Sequence, residues 1–578
     1  MDRPIFLPQI SDGNYAVRAL VEFSALGAPL KRLCFALFVS ALPGLSFCQS
    51  AAPASVHCVV APAVTPTEAQ RAFLDSNYEK AATLYQGQLQ GRPDDPSLTK
   101  EYSLVLLRQQ KVHEADILVH KALGQHPKSV ELLTALGEVQ YREGTPWLAV
   151  ATMNDAMTID PCYAPLRLLG AKLYRLSSYY GVAANEVKTA YKLDPHDPGI
   201  RREWLRTLPL KDRIAELESY LASGSGEDAE TKKNLGLYLD FLKHQLTDPH
   251  RSCRMVSEVD SATVPFALIL HDATRIRAFG LEVKLNGHNS RLQLDTGASG
   301  LIVSRTVAEH AGLKQFSKTE ISGIGSKGGR QGYTAYADDI RIGPLEFRDC
   351  EVDVIDQGNV VDVDGLIGAD VFSHFLVTLD YPMRKLQLAP LPKRPDEVVA
   401  AKPALETAGN EGNEEAPAET SEKKEPVSSG PRNRYVAPEM KDWTPIYRIG
   451  HYLLIPAALN NTAKKLFILD TGAFATTISP ETAREVTKVH NDNDMTVKGI
   501  SGKVDKVFVA DKITFRFAHL SQQVQDVVSF STDSMSKSVG MDVSGLIGIT
   551  ALGYLKIDID YRDGLMNLTY DANRGYNR

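Results

Sequence analysis

Two short stretches of this 578-residue chain share a pattern that could do carboxylate chemistry. In each, an apolar run leads directly into Asp-Thr-Gly-Ala, at Asp295 and again at Asp470. The residues that follow the aspartates are Thr296, Gly297 and Ala298 in the first stretch and Thr471, Gly472 and Ala473 in the second. Two carboxylates a few ångströms apart cannot both ionise, so one retains a proton. The ionised partner can accept a proton from water while the protonated partner donates to a carbonyl oxygen, a pairing suited to metal-free amide hydrolysis.

The neighbouring residue types fit the same chemistry. The threonines can hydrogen-bond across such a pair, and the glycines allow close backbone approach and offer N–H donors to the carboxylates. Because the proton is shared, the sequence does not assign the acid and base roles to individual aspartates.

The two stretches belong to a longer internal duplication. Gly-Leu-Ile-Gly occurs at 365–368 and again at 545–548, 70 and 75 residues after the respective aspartates. An Asp-Tyr pair follows the first glycine of each segment by 15 residues, at Asp380 and Asp560. Short Val/Ile/Leu runs separated by Gly, Asp and Pro surround these motifs, which predicts strands and turns. We therefore expect two copies of one all-β domain, at residues 260–390 and 441–575.

These copies resemble the retropepsin-like branch of the aspartic proteases. The resemblance rests on the two intact Asp-Thr-Gly-Ala signatures, each with its later apolar-apolar-Gly segment. It implies an all-β acid protease fold, Asp295 and Asp470 as the catalytic pair, a peptide or protein substrate, and neither a cofactor nor a metal. It also implies flaps that close over the substrate, for which the candidates are Gly323, Ile324, Gly325, Gly499 and Ile500.

The first flap candidate also fits G-x-G-x-x-G, with glycines at 323, 325 and 328. A nucleotide-binding interpretation requires a strand before the motif and a helix after it. Residues 332–342 instead have a strand-like pattern, so we favour the flap.

Two alternatives remain open on the sequence alone. One is a catalytically inactive protein that binds peptides on the same folds. The sequence departs from the family pattern at Phe474, where the first copy has Ser299, and neither Gly-Leu-Ile-Gly segment has the Arg or Asn common beside that glycine. The other is pairing between chains, which would give separate Asp295–Asp295 and Asp470–Asp470 sites.

The part of the chain before the β copies has a period of 34 residues. Prolines recur at that spacing, and so do alanines: Pro93, Pro127, Pro161 and Pro195; Ala81, Ala115, Ala149 and Ala183. This pattern resembles the tetratricopeptide repeat, in which small residues let two helices approach and proline ends the second. We expect an all-α solenoid at 65–246 whose groove could hold a protein partner.

Two further segments look non-globular. Residues 33–47 form an apolar run behind Lys31 and Arg32, so residues 1–52 are predicted to be a signal peptide or leader. The chain would then be exported, periplasmic or secreted, or anchored by an uncleaved leader. Residues 391–440 contain seven prolines and a single aromatic residue, typical of a disordered linker long enough to let the copies pair within one chain.

The composition excludes few classes of protein, but its charge and cysteine content make some functions less expected. The net charge of −7 gives no support for nucleic-acid binding, and no other run is long enough for a membrane span beyond the leader. Six scattered cysteines suggest neither a disulfide scaffold nor a zinc site. The sequence therefore predicts an exported aspartic endopeptidase with a solenoid for substrate or partner docking.

Overall fold

The computed structural model describes residues 58–222, 229–247, 253–270, 276–321, 323–326, 329–355, 363–395, 397, 431–492 and 495–571. The predicted leader at 1–52 lies outside the described residues, as do residues 398–430 of the predicted linker.

Antiparallel helix pairs form the N-terminal part. The described helices are α1 (Glu68–Leu74), α2 (Tyr78–Gly91), α3 (Pro96–Arg108), α4 (Val112–Gln125), α5 (Val130–Arg142), α6 (Pro146–Ile159), α7 (Ala164–Leu176), α8 (Tyr180–Leu193), α9 (Pro198–Leu205), α10 (Leu210–Ala222) and α11 (Ala229–Thr247). The four periodic alanines are at most 1% exposed, because each lies where two helices pack together. The four periodic prolines follow the ends of α2, α4, α6 and α8, where proline prevents the helix from continuing.

The first β copy contains β1 (Arg254–Met255), β2 (Ala262–Pro265), β3 (Ala267–Leu270), β4 (Ile276–Leu285), β5 (His288–Asp295), β6 (Leu301–Ser304), β7 (Lys314–Ile321), β8 (Arg330–Ile342), β9 (Leu345–Ile355), β10 (Gly365–Gly368), β11 (Phe375–Asp380) and β12 (Lys385–Pro390), with the short helix α12 (Arg305–His310). Nine of these strands form one sheet in the order β1-β9-β6-β10-β5-β4-β8-β7, with β3 beside β4.

The second copy repeats this plan. Its strands are β13 (Thr444–Pro445), β14 (Tyr447–Ile449), β15 (Tyr452–Leu459), β16 (Lys464–Leu469), β17 (Thr477–Ile478), β18 (Val489–Asn491), β19 (Lys498–Gly499), β20 (Gly502–Lys503), β21 (Phe508–Ala510), β22 (Ile513–Phe517), β23 (Leu520–Val524), β24 (Val527–Ser529), β25 (Gly545–Ile547), β26 (Leu555–Asp560) and β27 (Leu565–Tyr570). Its helices are α13 (Pro480–Val486), α14 (Asp533–Val539) and α15 (Ile549–Leu552).

A sheet shared by both copies joins them into one unit. Its order is β13-β27-β26-β11-β12-β2, and its central pair, β11 with β26, brings one strand from each copy. The apolar side chains of both copies form a continuous buried cluster across this sheet. The two copies therefore face each other within a single chain.

Both described ends of the predicted linker are packed against the second copy. Arg394 is 7% exposed and forms an ion pair with the Asp563 carboxylate at 2.6 Å. The Tyr435 amide donates to the same carboxylate at 2.8 Å. An ion pair and a backbone hydrogen bond thus fix residues on both sides of 398–430 to the second copy. The composition of residues 391–440 had instead suggested a disordered linker throughout.

The solenoid packs against the second copy. Leu176 is buried in an apolar cluster with Leu466 and Met541, and Tyr141 and Trp147 pack against it. The Arg142 guanidinium donates to the Gly540 carbonyl at 2.8 Å, and the Asp542 amide donates to the Arg142 carbonyl at 2.7 Å. The turn between α5 and α6 is therefore an intramolecular docking site.

Four cysteines form two disulfides that the sequence analysis did not anticipate. Cys58 is joined to Cys162, and Cys253 to Cys350. The partners are 104 and 97 residues apart, so no local motif announces them. They fasten the segment before α1 to the solenoid and the segment after α11 to β9.

Candidate active site

Each Asp-Thr-Gly loop begins where a buried strand ends. β5 runs parallel to β10, and its last residue, Asp295, pairs in register with Gly368. In the second copy β16 runs parallel to β25, with Leu469 opposite Ile547, so that Asp470 follows directly. The Gly-Leu-Ile-Gly segments are thus the strands that support the two loops.

The threonines join the two loops through reciprocal hydrogen bonds. The Thr296 amide donates to the Thr471 hydroxyl at 3.0 Å, and the Thr471 amide donates to the Thr296 hydroxyl at 3.0 Å. Each hydroxyl donates in turn to a backbone carbonyl of the opposite copy, at Leu469 and Leu294. Both threonines are at most 3% exposed, so the pairing is fully inside the protein.

The two carboxylates lie side by side above these threonines. A Cβ added to Gly297 would lie 2.9 Å from the Asp470 carboxyl carbon, and one added to Gly472 would collide with the Asp295 carboxylate. The Gly297 amide donates to Asp295 at 2.7 Å, and the Gly472 and Ala473 amides donate to Asp470 at 2.9 Å. Glycine is needed because any side chain would occupy the space that the carboxylates share.

Burial and mutual repulsion set the protonation of the pair. The aspartates are 9% and 8% exposed. Burial raises the pKa of both Asp295 and Asp470, and the neighbouring Asp470 carboxylate raises the pKa of Asp295 further. The pair therefore keeps one proton at a pH where an ordinary aspartate has lost it. One acid and one base lie next to each other, as general acid–base hydrolysis requires.

The predicted flap residues meet above the pair. The Gly323 amide donates to the Ser501 hydroxyl at 3.1 Å, and the Ser501 amide donates to the Ile324 carbonyl at 2.9 Å. Ile500 packs against an apolar cluster of the first copy, whereas Ile324 packs against one of the second. The two flaps are thus crossed and hydrogen-bonded to each other.

The loops and flaps enclose a cavity of about 600 Å³. Most of the predicted site residues line it: Asp295, Gly297, Ala298, Gly323, Ile324, Asp470, Gly472, Ala473, Gly499 and Ile500. Three do not, since Thr296 and Thr471 lie beneath the carboxylates and Gly325 lies where the flaps touch.

Several polar residues of this site are not predicted by the sequence motifs. His451 lines the cavity, and its Nε2 donates to the Gly297 carbonyl at 3.1 Å. Burial lowers the pKa of His451, which favours the neutral ring. Gln293 donates to the Gly472 carbonyl at 2.9 Å, and Asp370 accepts from the Ser299 hydroxyl at 2.9 Å. His451 lies outside the motifs that the two copies share, whereas Asp370 stands two residues after the first Gly-Leu-Ile-Gly segment, where the duplication could have revealed it.

The two halves of the cavity differ at the residue after Asp-Thr-Gly-Ala. Ser299 and the Gly300 amide bind the Asp370 carboxylate in the first copy. In the second, Thr550 stands two residues after Gly-Leu-Ile-Gly, and its amide donates to the Phe474 carbonyl at 3.0 Å. The Phe474 side chain is 59% exposed and lines the cavity, so it is available for apolar contact.

The described residues also bear on other kinds of site. They contain no group of three or more His, Cys, Asp or Glu side chains placed to hold a metal ion. Among the helices described, none is long and apolar enough to cross a membrane.

Part of the first β copy matches a known protein family. Residues 281–371 match the family model described as aspartyl protease. This range contains the first Asp-Thr-Gly loop, the first flap and the first Gly-Leu-Ile-Gly strand. No curated protein matches the chain.

The solved structures that resemble parts of this chain include two examples. One is an aspartic proteinase from Irpex lacteus, 11% identical, covering 54% of this chain and 98% of that one with a TM-score of 0.31. The other is a thermophilic TPR protein from Thermus thermophilus, 20% identical, covering 30% of this chain and 95% of that one with a TM-score of 0.26. Because both TM-scores are below 0.5, the fold is assigned from the described strands and helices and from the family match. The chain combines a helical repeat resembling a tetratricopeptide solenoid with a β part like the aspartic protease fold.

Proposed function

We propose that this chain, whose β part is like the aspartic protease fold, is an aspartic endopeptidase whose two carboxylates act as one dyad. The observation that carries the proposal is the meeting of Asp295 and Asp470 over the reciprocal Thr296–Thr471 hydrogen bonds. The geometry supports pairing within one chain, because each copy supplies half of the arrangement.

In the proposed reaction a water molecule lies between the carboxylates. The ionised carboxylate accepts a proton from that water as its oxygen attacks the peptide carbonyl carbon, and the protonated carboxyl donates to the carbonyl oxygen. Collapse of the tetrahedral intermediate breaks the C–N bond, and the leaving amine takes a proton from the dyad. The flaps enclose the peptide and exclude bulk water.

The solenoid is proposed to dock the substrate or a protein partner. Two disulfides in the described chain favour an oxidising compartment. Together with the leader-like residues 1–52, they support the proposal that the protein is exported.

The test is cleavage of a denatured protein mixture by the full chain, from acidic to neutral pH, with and without a pepstatin-like inhibitor. Asp295→Asn and Asp470→Asn should each lower the rate by about 10³-fold, because either substitution removes half of the acid–base pair. The matched control is Asp511→Asn, which removes a partly exposed carboxylate that pairs with His490.

Absence of cleavage at every pH by a folded chain would overturn the proposal. The exposed Phe474 favours one second candidate in that event, a protein that binds apolar peptides in the same cavity without cutting them.

A further inference from the structure

The duplication makes two pockets of the cavity directly comparable. In the first copy Ile302 pairs with Asp353 on one side and with Leu366 on the other. In the second copy the equivalent residues are Thr477, Val528 and Leu546, paired in the same way. All six line the cavity. At one equivalent strand position, therefore, the first copy presents the carboxyl group of Asp353 and the second copy presents the isopropyl group of Val528.

The Asp353 carboxylate has few polar partners in the protein around it. The Thr334 hydroxyl donates to its Oδ1 at 2.9 Å. Within the described part of the chain, no ion pair involves Asp353, although Arg277 and Lys498 also line the cavity. Burial raises the pKa of Asp353, as expected for a carboxylate that has lost water without gaining a cation.

The side chains that pack around Asp353 are mainly apolar, and the carboxylate of Glu351 on the same strand adds a second negative charge nearby. Ile302, Ile321 and Leu366 belong to one buried cluster, and Ile500 of the opposite flap packs against it. An apolar pocket with one carboxylate fits a side chain that has a long aliphatic stem and a cationic end, as lysine and arginine have.

We propose that Asp353 makes this pocket select a lysine or arginine side chain of the substrate, while the Val528 pocket takes an apolar one. The inference rests on the proposed function, since it assigns a substrate preference to the same cavity. A cation bound there would give the carboxylate the partner that the fold does not supply.

The test is the cleavage-site profile of the full chain on a mixed peptide library. Wild type should cut sites enriched in Lys or Arg at one fixed position near the scissile bond. Asp353→Asn and Asp353→Val should reduce that enrichment by roughly ten-fold, as loss of a charge-assisted hydrogen bond predicts. The valine variant gives the first pocket the residue that the second already has.

The matched control is Glu351→Gln. Glu351 lies two residues earlier on the same strand, is exposed, and does not line the cavity. Its carboxylate interacts with the like charge of Asp353, so Glu351→Gln removes a neighbouring charge but leaves the pocket carboxylate, and the Lys or Arg enrichment should persist. Absence of Lys or Arg enrichment in wild type would overturn the inference, as would enrichment that persists in both Asp353 variants or falls equally in Glu351→Gln.

A binding measurement separates this inference from the proposed activity. The affinities of two fluorescent peptides with a reduced, uncleavable bond would be compared. The peptides differ only at the selected position, where one has lysine and the other norleucine. If no peptide is cut, such a pair is made for each position in turn. Tighter binding of a lysine peptide, lost in Asp353→Asn, would support the pocket even in a chain without protease activity. Equal binding of every pair would contradict it.

Discussion

The geometry of the carboxyl pair depends on the two threonine hydroxyls beneath it. Each hydroxyl accepts from the opposite threonine amide and donates to a carbonyl of the opposite copy. Thr296→Ala should therefore leave buried backbone groups unpaired and cost about 1–3 kcal/mol of stability. The same change should lower the cleavage rate at least about ten-fold, because the carboxylates lose their fixed separation.

The control for this prediction is Thr296→Ser, which keeps the hydroxyl. Denaturant unfolding and initial cleavage rates measure the two effects. Activity in Thr296→Ala equal to that of the serine variant would show that the hydroxyl does not hold the dyad.

The raised pKa of Asp295 makes a prediction about stability. A carboxyl whose folded-state pKa lies above the ordinary 3.8 binds its proton more tightly in the folded protein. Its stabilising contribution is full at acidic pH and is lost as the pH rises through the folded-state pKa. Asp295→Asn should thus unfold at a higher temperature than wild type near neutral pH, by roughly 2–5 °C, and at a similar temperature at acidic pH.

Thermal unfolding monitored by circular dichroism at both pH values checks this. Asp511→Asn serves as control, since it removes a partly exposed carboxylate that does not line the cavity. A gain for Asp295→Asn that is larger at acidic than at neutral pH would contradict the assigned direction.

At the level of elements, the flaps depend on glycine at their crossing point. Gly325 has φ of +136°, and a Cβ there would collide with the Ser501 backbone. Gly325→Ala should push the flaps apart and lower cleavage efficiency by about ten-fold or more, because the substrate is then enclosed less well. Gly287→Ala is the matched control, because Gly287 also has a positive φ, of +88°, but faces open space.

Hydrogen exchange of residues 323–326 and 499–503 reports the flap contact directly. Faster exchange and slower cleavage are expected in Gly325→Ala but not in Gly287→Ala. Equal effects of the two substitutions would mean that backbone strain, and not the flap contact, matters.

The sequence predicted elements best where a pattern repeats. The 34-residue period predicted the helix pairs, and the fold class is confirmed, because small residues and prolines act locally on helix packing. The Asp-Thr-Gly loops were recognisable because only glycine leaves room for the opposite carboxylate, so the motif is the same in both copies. His451, Asp353 and the disulfides could not be predicted in this way, since each acquires its partners only through tertiary contacts between separate elements.

At the level of the whole molecule, the solenoid is joined to the protease-like part by an extended contact. Arg142 binds the Gly540 carbonyl directly after α14, and Met535 and Ser538 of α14 line the cavity. Arg142→Ala should destabilise this contact by about 1–3 kcal/mol and increase hydrogen exchange in residues 533–543. Arg175→Ala is the control, because its ion pair with Glu203 lies within the solenoid. Equal exchange in the two variants would show that the contact does not depend on Arg142.

The central claim is that one chain contains one complete dyad, and it is tested most directly by mixing inactive variants. Monomeric fractions of Asp295→Asn and Asp470→Asn would be assayed for cleavage separately and after equimolar mixing. We predict that the wild-type monomer cleaves, that each variant loses about 10³-fold of its rate, and that the mixture remains inactive. Substantial activity in either variant alone, or recovery on mixing, would contradict a dyad formed by Asp295 and Asp470 within one chain.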